Sequence, residues 1–310
     1  MKHVFVFDPK SFHEQQWKMD SILDHIGQFF RTQDKPDFSI QISRYRRDAI
    51  GLIQKEVESA VEDDTVRVYA IGGEEILYDC LNGIAELPNT ELAAVPYGET
   101  SDFLRNFGEG KEDLFRDIPS LVQAGTVSTD MIDLGSSFAL NSCLIGLKAA
   151  STIKIKSSKE MFFLFSKISY FFNYLSFLFD RQITSQYYNI TIDERDFSGN
   201  YSLINIANGP WYTGKITGLS AAMPNDGLLD VALIKSAGPF KTLLSMKSYS
   251  KGIIPSNCVN LQAKKITVQS DRYMSIQLDN EFYQDTSISL NVLPQALQLV
   301  AVNDLSYQKL

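Results

Sequence analysis

The sequence predicts two domains: an N-terminal α/β domain built on a parallel sheet, and a C-terminal domain of mostly antiparallel β-structure. Strand-like and helix-like segments alternate through residues 1–125, which is the pattern of a parallel sheet covered by helices. Short β-like runs separated by turn residues dominate after residue 126. The chain of 310 residues is long enough to form two hydrophobic cores.

Apolar periodicity places the elements of the first domain. The expected strands are 4–7, 38–42, 66–71 and 92–95, and the expected helices are 14–31, 49–61 and 76–84. The carboxyl ends of parallel strands lie at one edge of a sheet, where ligands bind. Residues directly after the strands should therefore line one edge, namely Asp8, Ser43, 72–76 and 98–102.

Gly72 and Gly73 stand between a strand and a helix, as in a phosphate-binding turn. Glycine lets the backbone approach a phosphate, and the following helix offers free N–H groups. The turn continues as Glu74-Glu75. At an effective dielectric of about 20, each carboxylate would oppose a phosphate charge about 4 Å away by roughly 4 kcal/mol before screening. The backbone pattern therefore predicts a nucleotide-binding site, whereas the charges of Glu74 and Glu75 would weaken nucleotide binding.

The second domain is expected to cover residues 126–291, and residues 292–310 should return to the first domain as a closing segment. The expected strands of the second domain are 127–134, 187–192, 201–207, 229–234, 265–269, 273–278 and 287–292. A different segment, 159–180, interrupts this β pattern as an inserted apolar helix, and its core, 161–179, carries one charge. A narrow polar stripe along that core favours packing on the β domain or on a dimer partner, over contact with a lipid interface or a membrane span.

Composition excludes several classes of function. A formal net charge of −8 argues against general binding to nucleic acid. The three cysteines lie far apart without metal-ligand spacing, which fits free thiols in the cytoplasm. All three histidines lie near the N-terminus, so a histidine-based zinc site or catalytic triad is not expected. The apolar stretch at the N-terminus is too short for a secretory signal.

Several short segments match, in the correct order, the motifs of one enzyme family. They are Asp8-Pro9, 72–76, 96–103, 138–141, 222–231 and 279–281. Together they resemble the bacterial diacylglycerol kinase catalytic-domain family, soluble lipid kinases whose nucleotide domain is related to those of NAD kinases and phosphofructokinases. The resemblance implies a three-layer α/β domain followed by a β-sandwich domain. It also implies transfer of the γ-phosphoryl group of ATP to a lipid hydroxyl, such as that of diacylglycerol, in phospholipid metabolism.

The same resemblance implies roles for particular residues. Asp279 and Glu281 would be the catalytic acidic pair, one of them acting as general base. Asp226, with the backbone carbonyls of Met223 and Leu228, would hold Mg²⁺, which prefers oxygen ligands; an Asn-Asp-Gly turn is the alternative for that segment. The ATP site would use Asp8, Ser43, Gly72, Gly73, Glu74, Glu75, Gly98, Glu99 and Asp102.

The acidic pair also has an explanation from spacing alone. Two carboxylates two residues apart on a strand point to the same face, so one could raise the pKa of the other. The alternative is a surface turn that follows a strand. For location, the resemblance implies a cytoplasmic protein, and it allows peripheral contact with the inner membrane face and a homodimer.

Departures from the family's motifs concentrate on the nucleotide. Glu75 replaces a glycine, Ile76 removes a hydroxyl, and Glu99 replaces a threonine. Three hypotheses follow: an active lipid kinase with an unusual nucleotide site, a catalytically inactive pseudokinase that binds lipid or a protein partner, and a kinase of a non-lipid acceptor.

Overall fold

The computed structural model describes residues 1–13, 15–32, 37–61, 64–97, 102–146, 149, 185–212 and 214–309. The chain divides into two compact units. Unit 1 contains Met1–Met131 and Pro294–Gln308, and unit 2 is formed essentially by Ile132–Leu293.

The secondary structure begins with alternating strands and helices and continues with strands. In residues 1–133 the elements are β1 (Lys2–Phe7), α1 (Gln16–Arg31), β2 (Phe38–Ile42), α2 (Asp48–Glu58), β3 (Val66–Gly72), α3 (Glu74–Ile84), β4 (Thr90–Pro96), α4 (Ile118–Gln123) and β5 (Gly125–Asp133). The later elements are β6 (Phe138–Ala139), β7 (Ser142–Gly146), β8 (Gln186–Ile192), β9 (Arg195–Asp196), β10 (Gly199–Ala207), β11 (Trp211–Tyr212), β12 (Lys215–Ile216), β13 (Leu229–Lys235), α5 (Pro239–Tyr249), β14 (Cys258–Ala263), β15 (Lys265–Leu278) and β16 (Glu281–Ala301).

Unit 1 is built on a parallel sheet. Strand β1 lies between β2 and β3, β4 pairs with β3, and residues 298–299 of β16 pair with β4, all in parallel. Strands β1 and β3 are buried along their whole length, as expected for parallel strands covered on both faces. The predicted parallel sheet is therefore confirmed, and its last strand comes from the end of the chain.

The helices cover the two faces of this sheet. Phe30 of α1 packs on Phe5 of β1, with ring centroids 5.7 Å apart. The strand order reverses direction after β2, so right-handed crossovers place α2 and α3 on the face opposite α1. Helices α2 and α3 touch closely where Gly83 faces Ile53, because a Cβ at Gly83 would lie 3.1 Å from Ile53 Cδ1. The result is the predicted three-layer α/β domain.

A buried polar cluster lies on the sheet near the start of β1. His3 Nδ1 lies 2.8 Å from the Tyr69 hydroxyl, and Arg67 donates to the Glu91 carboxylate at 2.6 Å. Burial, together with the nearby Arg67 charge, lowers the pKa of His3 from 6.5 to about 4. The folded chain therefore keeps this imidazole neutral at neutral pH.

Unit 2 is mostly antiparallel. Strands β10 and β15 each pair with both β7 and β8, so the strands fold over on one another rather than forming one flat sheet. Strands β13 and β14 extend this arrangement beyond β10. The predicted strands 265–269 and 273–278 form a single strand, β15, whose register shifts between Gln269 and Met274. The predicted β-sandwich character is confirmed.

Helix α5 closes one part of the unit 2 core. Its buried residues Met246 and Tyr249 join a cluster with Leu144, Leu203 and Leu219, among others. A Cβ at Gly218 would lie 2.5 Å from the Tyr249 ring, so the close approach of that ring requires glycine. The sequence did not predict this helix, nor the strand β14 that follows it.

No helix in the described ranges is long and apolar enough to cross a membrane. The apolar segment 161–179 lies outside the described residues.

Candidate functional site

The carboxyl ends of β1, β2, β3 and β4 lie side by side in unit 1. The Asp8 N–H donates to the Ile71 carbonyl at 3.1 Å, the Ser43 N–H to the Phe7 carbonyl at 2.9 Å, and the Tyr97 N–H to the Gly72 carbonyl at 2.8 Å. Each bond joins the residue after one strand to the end of its neighbour. The predicted edge therefore holds Asp8, Ser43 and the Gly72 turn together.

Gly72 is required by the tight packing of this turn. Its φ is 154°, and a Cβ there would lie 2.9 Å from Ile76 Cγ2 and 3.0 Å from Ser11 Oγ. Ile76 is buried, so the residue that lacks the family's hydroxyl instead packs beneath the turn. The apolar side chain supports the turn from within.

The amide of Gly73 is already hydrogen-bonded inside the protein. Its N–H donates to Ser11 Oγ at 3.0 Å, and the Ser11 hydroxyl donates to Asp8 Oδ2 at 2.8 Å. The other Asp8 oxygen accepts the Lys10 N–H at 3.1 Å. Asp8 and Ser11 thus form a short chain that occupies an N–H which a phosphate would use.

The two glutamates of the turn differ in their surroundings. The half-buried Glu74 accepts the Asp102 N–H at 2.7 Å, which ties the turn after β3 to the segment after β4. Glu75 is exposed. Gly98 and Glu99, which were also predicted to meet the nucleotide, lie outside the described residues.

A small, partly open pocket lies beside this turn in unit 1. Gly72, Gly73 and Glu74 line one side, and apolar residues of β4 and of the helical turn Phe103–Phe107 line the other. A polar backbone turn facing apolar side chains is the usual composition of a small-molecule site.

Asp79 is a buried carboxylate that the sequence did not point to as part of this region. It accepts the Arg47 N–H at 2.8 Å, which fixes the loop after β2 to helix α3. Burial raises the pKa of Asp79, and the nearby Arg47 and Arg46 charges oppose that rise. Ser11 was missed as well. Its position three residues after Asp8 fits a side chain returning to a capping carboxylate.

In unit 2, Asp279 and Asn280 form the two-residue turn between β15 and β16. Leu278 pairs directly with Glu281 across this hairpin, and Asp279 has a φ of 46°. The expectation that Asp279 and Glu281 share one face of a strand is wrong, because the chain reverses between them. Aspartate tolerates this left-handed backbone conformation better than most residues.

Asp279 binds three successive backbone amides with its carboxylate. Oδ2 accepts the Leu140 N–H at 2.8 Å, and Oδ1 accepts the N–H groups of Asn141 and Ser142 at 2.9 and 2.8 Å. The backbone of the turn is fixed too, because the Asp279 N–H donates to the Ser142 carbonyl at 2.8 Å. Asp279 therefore joins the turn rigidly to the start of β7.

Glu281 begins β16 and is buried, with 6% of its surface exposed. A second layer holds the turn beside it. Gln277 Nε2 donates to the Asp279 carbonyl at 2.9 Å, and the Tyr212 hydroxyl donates to Gln277 Oε1 at 2.6 Å. The position of Glu281 is thus set by a hydrogen-bonded hairpin.

The Asp226 turn is the segment for which the sequence predicts a Mg²⁺ site. The Leu228 N–H donates to Asp226 Oδ1 at 3.0 Å, and Gly227 has a φ of 75°, so the segment forms the Asn-Asp-Gly turn. Burial raises the pKa of the nearby Asp230 to about 6, and the Asp226 charge also acts to raise it. Within the described ranges no group of three or more His, Cys, Asp and Glu side chains could hold a metal. A cation here would therefore need backbone carbonyls, such as those of Met223 and Leu228, beside the carboxylate.

Comparisons with known proteins match both units. Residues 2–134 match the family model of the "Diacylglycerol kinase catalytic domain", and residues 144–301 match the "YegS C-terminal NAD kinase beta sandwich-like domain". A protein of Staphylococcus aureus (strain bovine RF122 / ET3-1), named a "Putative lipid kinase", is 28% identical over 278 residues, covering 86% of this chain and 87% of the relative. Its counterpart in strain JH9 is 27% identical over the same shares.

Solved structures agree on the fold. A crystal structure titled as that of "a putative diacylglycerol kinase from Bacillus anthracis str. Sterne" superposes with a TM-score of 0.73 at 20% identity, covering 98% of this chain and 96% of that one. A second structure from the same organism gives a TM-score of 0.72 at 19% identity, covering 98% of both chains.

Proposed function

The chain belongs to the diacylglycerol kinase catalytic-domain family, and from this membership we propose that it transfers the γ-phosphoryl group of ATP to the hydroxyl of a lipid such as diacylglycerol. The observation that carries the proposal is the Asp279–Glu281 hairpin, in which three backbone N–H groups hydrogen-bond to the Asp279 carboxylate and Glu281, two residues later, is buried. Phosphoryl transfer depends mostly on positioning and charge neutralisation. Such a reaction therefore requires an acidic group that the protein holds in a fixed position.

The two carboxylates take different roles in this proposal. Asp279 accepts three N–H groups, an arrangement that stabilises its ionised form and occupies its lone pairs, so it is a positioning residue. Glu281 is the general base, which accepts the proton of the lipid hydroxyl as the hydroxyl oxygen attacks the γ-phosphorus and ADP departs.

The phosphates would lie at the strand-end edge of unit 1. Asp8, Ser43, Gly72, Gly73, Glu74, Glu75, Gly98, Glu99 and Asp102 would surround them. Here the Gly73 N–H has to exchange its bond to Ser11 Oγ for one to a phosphate oxygen. Bound Mg²⁺ would neutralise phosphate charge, and Asp226 with the carbonyls of Met223 and Leu228 would hold a structural Mg²⁺.

A second candidate function is a pseudokinase that binds lipid or a protein partner. Two observations favour it: the Ser11 bond to the Gly73 amide, which closes the phosphate turn, and the exposed Glu75 where the family has glycine. Its prediction is opposite to that of the kinase, namely no binding of ATP with Mg²⁺.

The cellular setting proposed is the cytoplasm, at the inner membrane face. The three cysteines are free. Burial raises the thiol pKa of Cys258 to about 11, so this thiol stays protonated at neutral pH. Free thiols fit the cytoplasm. The inner membrane face is proposed because a lipid acceptor would be reached from there.

Calorimetry of ATP binding, with Mg²⁺ or Mn²⁺, separates the two functions. We expect binding by the natural chain, and binding at least tenfold tighter by Glu75→Gly, because a negative charge near the phosphates is removed. Glu58→Gln, which removes an exposed glutamate outside the site, is the matched control. Absence of binding in both the natural chain and Glu75→Gly would favour the pseudokinase.

Transfer of labelled phosphate to diacylglycerol in detergent micelles tests the chemistry. Glu281→Gln should lower kcat by about 100-fold or more, the usual contribution of a general base, with little change in ATP binding. Unchanged kcat in Glu281→Gln would remove Glu281 from the base role. Transfer to other hydroxyl compounds but not to diacylglycerol would instead indicate a non-lipid acceptor.

A further inference from the structure

Helix α5 in unit 2 packs Met246 and Tyr249 into the core, yet it also buries two hydroxyl side chains and exposes two large apolar ones. Its inner side holds Thr242 and Ser245, which are 0% and 5% exposed, whereas Phe240 and Leu244 on its outer side are 75% and 48% exposed. The buried hydroxyls have partners: Thr242 donates to the Ala237 carbonyl at 3.3 Å, and Ser245 donates to Asn257 Oδ1 at 2.8 Å. Because the buried hydroxyls are hydrogen-bonded, this orientation of α5 is satisfied on its inner side, and Phe240 and Leu244 are left exposed.

The turn directly after α5 exposes two further apolar side chains. Gly252 has a φ of 76°, its N–H donates to the Tyr249 carbonyl at 3.2 Å, and the Ile253 N–H donates to the Ser248 carbonyl at 3.1 Å. These bonds form a Schellman motif, which holds the turn against the last turn of the helix. Ile253 and Ile254 are 58% and 45% exposed there. Four large apolar side chains are thus exposed within one helix and its cap.

Basic residues surround these apolar side chains. Lys241, Lys247 and Lys251 are exposed. Residues 236–257 contain these three lysines and no aspartate or glutamate, within a chain whose net charge is −8. No ion pair joins any of these three lysines to a residue of the described ranges. The local charge is therefore opposite in sign to that of the molecule as a whole.

We propose that this α5 surface, formed by Phe240, Leu244, Ile253 and Ile254 with Lys241, Lys247 and Lys251, docks onto an anionic lipid membrane. Exposed apolar side chains enter the boundary between headgroups and acyl chains, and the lysines contact the anionic headgroups. A second copy of this chain fits less well, because a two-fold contact sets the same patch against itself and would bring the lysines of both copies together. The proposal deepens the proposed function, since it places the protein at the surface where a lipid acceptor is found.

Co-sedimentation with vesicles, without nucleotide, tests the surface. The probes are vesicles of phosphatidylcholine alone and vesicles with added phosphatidylglycerol. The natural chain should bind the anionic vesicles more tightly, and less so at high salt. Phe240→Ser/Leu244→Ser should weaken binding at least tenfold, and Lys241→Glu/Lys247→Glu/Lys251→Glu at least 100-fold, since each basic residue near an anionic surface contributes about fivefold.

Matched controls keep the test specific. Tyr273→Ser removes an equally exposed aromatic residue, 71% exposed, from another part of unit 2. Lys55→Glu/Lys264→Glu/Lys265→Glu makes the same charge change at exposed lysines outside the surface. Both control variants should bind vesicles nearly as the natural chain does, apart from a small general charge effect. Ile253→Ser/Ile254→Ser repeats the apolar test in the turn, in case the helix variant unfolds.

Three results would overturn the proposal: no binding of the natural chain to anionic vesicles, equal binding to neutral ones, or unchanged binding by the folded surface variants. Sedimentation velocity adds a fourth, because loss of self-association in Phe240→Ser/Leu244→Ser without loss of vesicle binding assigns the surface to a second copy. Micelle-based kinase activity is measured separately. Vesicle binding without any phosphate transfer therefore refutes the proposed function and leaves the docking surface standing.

Discussion

The Gly72–Glu74 turn in unit 1 and the Asp279–Asn280 turn in unit 2 satisfy their polar groups in contrasting ways. In the first, a single hydroxyl, Ser11 Oγ, accepts the Gly73 amide at 3.0 Å. In the second, one carboxylate accepts three amides from a neighbouring segment. One neutral bond is exchanged for a ligand at little cost, whereas three bonds to a charged group are not. The Gly73 amide of the first turn is therefore suited to release for a ligand, whereas the second turn is suited to staying fixed.

The largest effect should come from breaking the fixed turn. Asp279→Ala leaves three backbone N–H groups without their acceptor, and bonds to charged groups are worth more than neutral ones, so we expect a loss of about 4 kcal/mol in the free energy of unfolding. Asp279→Asn, which keeps one acceptor oxygen, should lose less than half of that. Urea denaturation measures both. Equal losses in the two variants would contradict this expectation and would mean that a neutral acceptor oxygen at position 279 contributes nothing, so that the stabilisation depends entirely on the ionised carboxylate.

The second largest effect should be a loss of stability in unit 1 as the pH falls. The pKa of His3 is 6.5 when unfolded and about 4 when folded. Between these values the unfolded chain binds a proton that the folded chain does not, so stability falls as pH falls from 6.5 towards 4, by up to about 3 kcal/mol. Hydrogen exchange should show β1 and β3 losing protection before β7 and β10. His3→Gln, which does not titrate, should remove this part of the pH dependence, and an unchanged profile would contradict the assignment.

A smaller effect is expected where the unit 1 turn meets the segment after β4. Glu74→Ala removes the acceptor of the Asp102 N–H, which should lower the free energy of unfolding by about 1.5 kcal/mol. Glu75→Ala, at the exposed neighbouring position, should change it by less than about 0.5 kcal/mol. Thermal or urea unfolding compares the pair. Similar values for the two would mean that the Asp102 bond adds nothing to stability.

The smallest effect tests whether the first turn opens. Ser11→Ala should lower the free energy of unfolding by about 1 kcal/mol, the usual net value of a hydrogen bond. It should also tighten ATP binding by about fivefold, because the Gly73 N–H no longer has to leave a partner. Calorimetry detects this opposite change. Weaker binding in Ser11→Ala would instead make the Ser11 hydroxyl a nucleotide contact.

The sequence predicted the fold where burial and periodicity agree. Strand 66–71 was placed within a residue of its observed ends, because a parallel strand buried on both faces is a nearly continuous apolar run. Helix α5 was missed for the reverse reason: Thr242 and Ser245 face the core while Phe240 and Leu244 face outward. Where buried hydroxyls alternate with exposed apolar side chains, hydrophobic periodicity gives no clear helix signal.

The candidate site was predictable in its location and less so in its contacts. Strand-end logic placed Asp8, Ser43 and the Gly72 turn on one edge, and the structure agrees. Spacing alone put Asp279 and Glu281 on one strand face, and the hairpin contradicts this. The hydrogen bonds that define the two turns join Gly73 to Ser11 and Leu140 to Asp279, which are far apart in the chain. Sequence patterns within a few residues cannot predict which distant residues will pair in this way.

The last strand of the unit 1 sheet has a consequence for how the protein is made. Gln298 and Leu299 pair with Glu91 and Leu92, and the Tyr307 hydroxyl lies 2.5 Å from Thr129 Oγ1 in the interior of the same unit. During synthesis, one edge of β4 therefore stays unpaired until residues 298–299 have left the ribosome. Open strand edges invite pairing with other chains. Nascent chains that stall before residue 294 should thus be the aggregation-prone form of this protein, and the ones that chaperones need to hold.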